Sequence, residues 1–227
     1  MTPDQIIKDA RAQGAGSLSE FQSKQVLAAY GVPVTAERLA DDADGAAAAA
    51  ADIGFPVALK GNAADLAHKT EAGLVEVGLA DAQAVKTAAG RLLPKLPKGG
   101  QLLVQEMAAG KREFLIGMTR DPQYGPCVTF GLGGIFAEAL ADTVLRLAPV
   151  SEREALEMLD EIRAKALLGP YRGMPTVDKP ALARAIVGVG QAAIAHPEIA
   201  EIDINPMIIA GERPVAVDAL VVLSPSE

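Results

Sequence analysis

Apolar and polar residues alternate in the stretch 201–206 (EIDINP), which predicts a β-strand near the end of the chain. A regular strand would divide its side chains between two faces, with Ile202, Ile204 and Ile208 on one and Glu201, Asp203, Asn205 and Met207 on the other. A second apolar stretch, 214–220, follows the loop 210–213, and a four-residue loop that contains glycine is typical of a hairpin. The pattern therefore predicts a hairpin with one polar face.

The polar face of this hairpin is a candidate metal site. If Ile209 pairs with Pro214, Asn205 lies opposite Asp218, and the Cβ atoms of directly opposed residues are roughly 5 Å apart. Asp203 lies on the same face, so three side chains with hard oxygens would meet at one point. Mg²⁺ prefers such ligands when nucleotide phosphates supply the remaining ones. A solvated sheet face with ordinary surface acids is the alternative that this spacing leaves open.

Helices and strands are mixed along the rest of the chain without a steady βαβ alternation, which predicts an α+β fold with two lobes. Periodicity, caps and glycine stops predict helices at 2–15, 17–30, 41–53, 81–93, 151–163 and 178–195. The same signals predict strands at 32–39, 56–61, 73–79, 101–106, 111–120, 126–130 and 143–148.

Caps and seams suggest how these elements are grouped. Ser17 and Glu20 match the capping box that starts a helix. The stretch 94–100 is rich in proline and glycine and is the best internal seam. We therefore expect an N-terminal helical segment over 1–16, one lobe over 17–100 and a second lobe over 101–227.

Three features outside the hairpin carry candidate chemistry. Lys60 ends a short buried strand, where it could bind phosphate as a point charge or be an ordinary strand-edge charge. His68 follows in a loop, where it could accept a phosphoryl group or carry a proton near neutral pH, or be simply solvated. The glycine-rich turn 131–134 could let backbone N–H groups approach a phosphate, although an ordinary strand-to-helix turn explains it equally well. The second histidine, His196, is expected to be structural or at the surface.

Composition narrows the functional classes. The 227 residues suffice for one large domain or two small lobes, and a net charge of -8 without a Lys/Arg cluster argues against nucleic acid or an anionic membrane as partner. The single cysteine, Cys127, excludes an internal disulfide, and neither a signal peptide nor an apolar run of about 20 residues is present. We therefore expect a cytoplasmic protein. P-loop, Rossmann, zinc-cluster and hydrolase-elbow motifs are all missing.

Short stretches in a fixed order carry a resemblance to a known family. They are LSEFQSK (18–24), PVALK (56–60), HKT (68–70), VQE (104–106), RDPQYGP (120–126), FGLGGI (130–135), RLAP (146–149), YRG (171–173) and EIDINP (201–206). With these stretches the chain resembles the ATP-grasp β subunit of ADP-forming acyl-CoA synthetases, relatives of succinyl-CoA synthetase. The resemblance covers nearly the whole chain after about residue 17. It implies an ATP-grasp fold, in which two α+β lobes enclose a nucleotide.

The resemblance also implies a role for each matching position around the nucleotide. Lys60 would hold the phosphates of ATP or ADP. Asn205 and Asp218 would bind Mg²⁺, with Asp203 nearby, in agreement with the pairing argument above. The residues implied for the base and ribose are Gln105, Glu106 and Met107 at the adenine and Glu113 near the ribose.

Further positions are implied for phosphoryl transfer. His68 matches a histidine that takes a phosphoryl group in transit, and Arg146 could meet a phosphoryl oxygen. Gly133 and Gly134 would shape the loop where a phosphohistidine segment docks.

The implied reaction is acyl-CoA + ADP + phosphate ⇌ carboxylate + CoA + ATP, with an acyl-phosphate and a phosphohistidine as intermediates. Nothing in the chain matches the CoA-binding domains and main catalytic histidine of the family's α part. We therefore expect an enzyme that is active only in a hetero-oligomer with an α subunit or with a fused α part, through which CoA and the carboxylate would bind.

Two other functions remain open from the residues. The chain could be an ATP-grasp module that senses nucleotide or scaffolds a partner without its own turnover. It could also belong to an ATP-grasp ligase that joins a carboxylate to an amine, which would be recognised by ATP turnover that needs an amine and no CoA.

Overall fold

A computed structural model describes residues 1–66, 72–134 and 140–225. Within them the strands form two sheets in which all strand pairs are antiparallel, and helices pack on both sheets, so the α+β prediction is confirmed. No helix among these residues combines the length and the apolar character that crossing a bilayer requires.

The smaller sheet has the order β1-β4-β2-β3. Its strands are β1 (Glu37–Ala40), β2 (Val57–Asn62), β3 (Val75–Leu79) and β4 (Gln101–Glu106). Helices α3 (Ala43–Ile53) and α4 (Ala82–Leu92) cover one face, and a short 3₁₀ turn, Leu93–Lys95, follows α4. The alanine run of α3 contributes four residues to the apolar core under this face, because alanine lets two helices and a sheet approach closely. The other face of this sheet carries the side chains of Lys60 and Gln105.

The larger sheet has the order β10-β8-β5-β6-β7, with β9 paired to β8. Its strands are β5 (Glu113–Asp121), β6 (Gly125–Leu132), β7 (Thr143–Leu147), β8 (Ile199–Ala210), β9 (Arg213–Ala216) and β10 (Ala219–Leu223). One core joins this sheet to α1 (Pro3–Ala12), α2 (Glu20–Ala28), α5 (Glu152–Glu161) and α6 (Lys179–Ala195), with the 3₁₀ turn Arg163–Leu168 between the last two.

The division between the sheets differs from the predicted lobes. Residues 1–34 pack into the core of the larger sheet, and β4 hydrogen-bonds within the smaller sheet. The chain therefore passes from the smaller to the larger sheet at 107–112, one strand after the proline- and glycine-rich stretch 94–100. The local composition marked a surface turn there, whereas long-range strand pairing decides to which sheet β4 belongs.

The predicted start of α2 is wrong by two residues. Ser19 is the N-cap, and it forms the capping box with Gln22, whereas Ser17 pairs with Val222 at the edge of β10. The sequence offers two overlapping S-x-x-E/Q patterns, and the strand contact of Ser17 leaves the second one for the cap. Glu20 is thereby released from capping, and it points into the interior.

The histidine His196 has a structural role, as expected. It is buried at the end of α6, and its Nε2 lies 2.8 Å from the hydroxyl of Tyr30.

Candidate functional site

The C-terminal hairpin has the predicted register. Ile209 pairs with Pro214, and Ile204 pairs with Ala219 in the same one-to-one register farther along β8. Between these pairs the Val217 N–H donates to the Pro206 carbonyl over 3.1 Å. Asn205 therefore lies opposite Asp218, as the pattern predicted.

The second strand of the hairpin is broken where the sequence predicted it to be continuous. Strand β9 ends at Ala216 and β10 begins at Ala219, so Val217 and Asp218 form the break. Strand β8 has one extra residue relative to β5 at the same level, because Phe114 pairs with Met207 whereas Ile116 pairs with Ile204.

Because of this bulge, the predicted faces of β8 are wrong after Pro206. Met207 and Ile209 are buried, and Ile208 is only half-buried, which reverses the prediction for residues after Pro206. A bulge shifts the alternation by one residue, and proline cannot donate to the ladder, so it is often found at such a place. Asp203 precedes the bulge and keeps its predicted face.

Three acids crowd around the hairpin break. Burial first, and then the nearby carboxylates of Glu201 and Asp218, together raise the pKa of Asp203 from 3.8 to about 6. A cation bound here would relieve this repulsion. Among the described residues no group of three His, Cys, Asp or Glu side chains could enclose a metal. Two carboxylates and the Asn205 amide fit Mg²⁺, which usually takes few protein ligands and keeps water and phosphate oxygens.

Lys60 joins the two sheets at this break. It lies in β2 of the smaller sheet, is 5% exposed, and donates to the Val217 carbonyl of the larger-sheet hairpin over 3.0 Å. It also donates to the Glu20 carboxylate over 2.7 Å. The predicted phosphate lysine and the predicted metal ligand Asp218 therefore approach each other across the boundary between the sheets.

The sequence did not single out the buried charges behind Lys60. Lys24 is fully buried, and it lies 2.8 Å from a Glu20 oxygen and 2.8 Å from a Glu37 oxygen. Glu37 is buried enough that its pKa is raised, although Lys24 acts in the opposite direction. Glu20 and Lys24 stand four residues apart on α2, which in sequence is typical of an exposed helix pair. Their burial follows from the face of α2 on which they lie, which the sequence pattern did not reveal.

The predicted adenine residues lie at the end of β4 and the start of the connection between the sheets. Gln105 is 1% exposed, and its amide oxygen accepts from Lys24 over 2.8 Å, so its side chain is turned to α2. The Glu106 carboxylate accepts from the Ala36 N–H over 2.9 Å. Met107 is 39% exposed at the start of the connection. Met107 is the most exposed of these three side chains and Gln105 is buried, so a base beside Gln105 would meet the Gln105 backbone.

Glu113 and the glycine turn lie together at the start of β5. The Gly133 N–H donates to the Glu113 carbonyl over 2.9 Å, and a Cβ on Gly133 would lie 2.6 Å from the Phe114 backbone. A Cβ on Gly134, whose φ is +76°, would collide with the Glu113 carboxylate. These residues line a cavity of about 450 Å³ that also contacts Tyr171. The turn needs glycine because a strand lies against it.

Arg146 is not brought to this site. Arg146 pairs with Val128, Val128 pairs with Met118, and Met118 pairs with Ile202. Residues that are paired across neighbouring strands share a face, so all four side chains lie on the helix-covered face of the larger sheet. Asp203 pairs with Gly117 in the neighbouring row and lies on the opposite face. The Arg146 guanidinium forms an ion pair with Glu161 of α5. His68 lies outside the described residues.

Comparisons with known proteins agree with this arrangement. A family model described as an ATP-grasp domain matches residues 9–223. The β subunit of an ADP-forming acetate–CoA ligase (I) from Pyrococcus furiosus is 38% identical, with 96% of this chain and 97% of that protein covered. An ADP-forming acetate–CoA ligase (I) from Archaeoglobus fulgidus is 35% identical over 97% of this chain but only 33% of that protein.

A solved structure shows the same fold. The dinucleotide-forming acetyl-coenzyme A synthetase 1 of Ca. Korarchaeum cryptofilum is 38% identical, with a TM-score of 0.88 over 98% of this chain and 100% of that one. That protein was solved with coenzyme A and Mg-AMPPCP, and its phosphohistidine segment points towards the nucleotide-binding site. By its family match, its full-length relatives and its fold, the chain belongs to the ATP-grasp family, among the β subunits of ADP-forming acyl-CoA synthetases.

Proposed function

We propose that this chain is the nucleotide-binding β part of an ADP-forming acyl-CoA ligase, which catalyses acyl-CoA + ADP + phosphate ⇌ carboxylate + CoA + ATP. One observation carries the proposal. The Lys60 ammonium of one sheet contacts the Val217 carbonyl of the other, directly beside the opposed residues Asn205 and Asp218. A buried cation next to hard oxygen ligands is what a magnesium–nucleotide requires.

The residues of the hairpin and of β2 divide the work on the phosphates. Lys60 contributes a point charge to the phosphate oxygens, and Asp203, Asn205 and Asp218 hold the cation. When bound, Mg²⁺ neutralises phosphate charge during phosphoryl transfer. The backbone at Gln105 and Glu106, with Met107, receives the adenine.

The cavity beside the glycine turn completes the site. Glu113 binds the ribose, and Gly133 and Gly134 admit the phosphohistidine segment of the partner close to the backbone. Arg146 is left out of this assignment, because its side chain lies on the other face of the sheet.

The partner is an α part that carries the CoA-binding and phosphohistidine domains and through which CoA and the carboxylate bind. Two observations support it. The chain matches a named β subunit over its full length, and it spans only about a third of a longer ligase that contains the same region. These two matches support an α part that is a separate subunit in some relatives and additional sequence in others.

Calorimetric titration of the whole chain with ADP, with and without Mg²⁺, tests the proposal. We expect magnesium-dependent binding, and we expect Asp218→Asn to weaken Mg-ADP binding about tenfold, since it removes one charged ligand. Binding of metal-free ADP should change little in this variant. Glu212→Gln is the matched control, because it removes a carboxylate from the exposed turn at the far end of the same hairpin. Absence of magnesium-dependent binding, or equal affinity in Asp218→Asn, would contradict the metal site.

A further inference from the structure

Glu20 connects the phosphate lysine to a helix of the larger sheet. Its side chain is 1% exposed, and one of its oxygens lies 2.7 Å from the Lys60 ammonium and 2.8 Å from the Lys24 ammonium. Helix α2, which carries Glu20, packs into the core of the larger sheet. Lys60 belongs to the smaller sheet, so both its Glu20 and its Val217 contacts come from the other sheet's unit.

The same helix also holds the other end of the nucleotide site. Lys24 donates to Gln105 over 2.8 Å, at the end of the strand that leads into the connection between the sheets. It donates as well to Glu37 over 2.8 Å and to Thr35 over 3.2 Å. The two lysines and two glutamates of this cluster balance in charge, which lowers the cost of burying them.

Two more contacts tie the start of α2 to the end of β2. The Phe21 N–H donates to the Asn62 side chain over 3.1 Å. The Ser17 N–H donates to the Asp65 carboxylate over 2.7 Å. Both contacts lie just after Lys60 in the chain, so α2 and the residues before it hold the end of β2 and the loop that follows it.

We propose that Glu20 is a positioning residue for the nucleotide phosphates, which acts by holding the Lys60 ammonium at the Val217 carbonyl beside the metal hairpin. This inference rests on the proposed nucleotide site. Lysine has a flexible four-carbon stem, and fixing it in one place costs conformational entropy. Glu20 provides that fixation, and the ion pair with Lys24 keeps the Glu20 carboxylate in the interior.

The geometry distinguishes this role from that of a general structural ion pair. A buried ammonium that loses a carboxylate acceptor is less stable in the interior, so without Glu20 we expect Lys60 to move away from the hairpin towards water or other acceptors. Glu37 provides the comparison, since it is bound to Lys24 in the same cluster and has no contact with Lys60 among the described hydrogen bonds. Loss of either carboxylate changes the buried charge balance equally, but of these two carboxylates it is Glu20 that accepts a hydrogen bond from the Lys60 ammonium.

A double-mutant cycle on Mg-ADP binding by the whole chain tests the proposal. Glu20→Gln keeps the shape and should weaken binding about tenfold, the effect of losing one charge-assisted hydrogen bond. In a Lys60→Gln background the same change should have almost no further effect, because Glu20 acts through Lys60. Glu37→Gln, the matched control, should have a smaller effect and a much weaker dependence on Lys60, because Glu37 acts on the Lys60 ammonium only through space.

Thermal unfolding of each variant shows whether it folds. Glu20→Asp is a second variant that keeps the proposal testable if Glu20→Gln does not fold. Glu20→Asp keeps the buried charge but shortens the side chain by one methylene. The variant should therefore fold, and it should nevertheless bind Mg-ADP more weakly than the wild type. Wild-type affinity in Glu20→Asp and Glu20→Gln, or equal effects of Glu20→Gln with and without Lys60, would overturn the positioning role and leave the proposed function intact. A wild-type chain that binds no Mg-ADP would overturn the proposed function and this inference with it.

Discussion

The carboxyl group of Asp203 carries an electrostatic cost that the alternating pattern of its strand does not reveal. Burial, and then the carboxylates of Glu201 and Asp218, raise its pKa to about 6. Nothing in the stretch 201–206 distinguishes it from an ordinary strand aspartate. This electrostatic cost lies at the proposed cation site, so the stability of the metal-free protein should depend on the ionisation of Asp203.

The free energy of unfolding of the metal-free chain should reflect this pKa. The folded state holds the Asp203 proton more tightly than the unfolded state between about pH 4 and 6. Wild-type stability should therefore fall, relative to Asp203→Asn, as the pH rises through that window, and the difference should stay constant above it. Urea titrations in the presence of a chelator measure it. Parallel stability curves for the two proteins between pH 4 and 7 would contradict the assigned pKa.

The glycine turn after β6 and the cap of α2 show how an element depends on its neighbours. From sequence, the stretch 131–134 fitted either a phosphate-binding turn or an ordinary strand-to-helix turn, and the structure places Gly133 against the backbone of β5. Likewise two capping patterns overlapped at the start of α2, and the contact of Ser17 with β10 selected the second. In both cases a contact with a strand that is distant in sequence supplied what the local pattern left open.

Gly133→Ala should destabilise the protein, because its Cβ would lie 2.6 Å from the backbone of Phe114, which cannot move without disturbing β5. Forced shifts of this kind typically cost about 1–3 kcal/mol. Gly90→Ala in α4 is the control. Nothing lies within 4 Å of the added methyl, and alanine should stabilise that helix by roughly 0.5–1 kcal/mol. Chemical denaturation compares the two, and equal effects would show that the turn has room for a side chain.

The whole molecule assembles its site from distant parts of the chain. Lys60 and the Val217 carbonyl are 157 residues apart, and the N-terminal helices pack with the C-terminal hairpin. The proposed nucleotide site is thus built from residues that are far apart in the chain. CoA chemistry, by contrast, is expected from the partner, so turnover and nucleotide binding should be separable.

His68→Ala makes that separation testable. With the α part present, this variant should lose acyl-CoA formation, because the phosphoryl group could no longer pass through His68. Binding of Mg-ADP to the variant chain should remain as in the wild type, which calorimetry checks. Retained turnover would refute the relay role of His68. Loss of nucleotide binding would instead mean that the residue serves the site itself. A chain that binds nucleotide yet shows no turnover with any α part would favour the sensing module.

Local spacing alone determined much of this protein. Alternation, turn length and oxygen-bearing side chains predicted the hairpin, its register and the opposition of Asn205 to Asp218, because pairing across a short loop is fixed by the chain itself. Caps and periodicity likewise predicted most helices. The ordered motifs indicated the family, which the comparisons confirmed.

Tertiary structure decided the features that residue spacing along the chain could not predict. It placed β4 in the smaller sheet, put Arg146 on the face away from Asp203, and buried Glu20 and Lys24 behind Lys60. The bulge of β8 also reversed the faces after Pro206. Each of these outcomes depends on contacts between segments that are far apart in sequence, where periodicity gives the face of an element but not the partner that covers it.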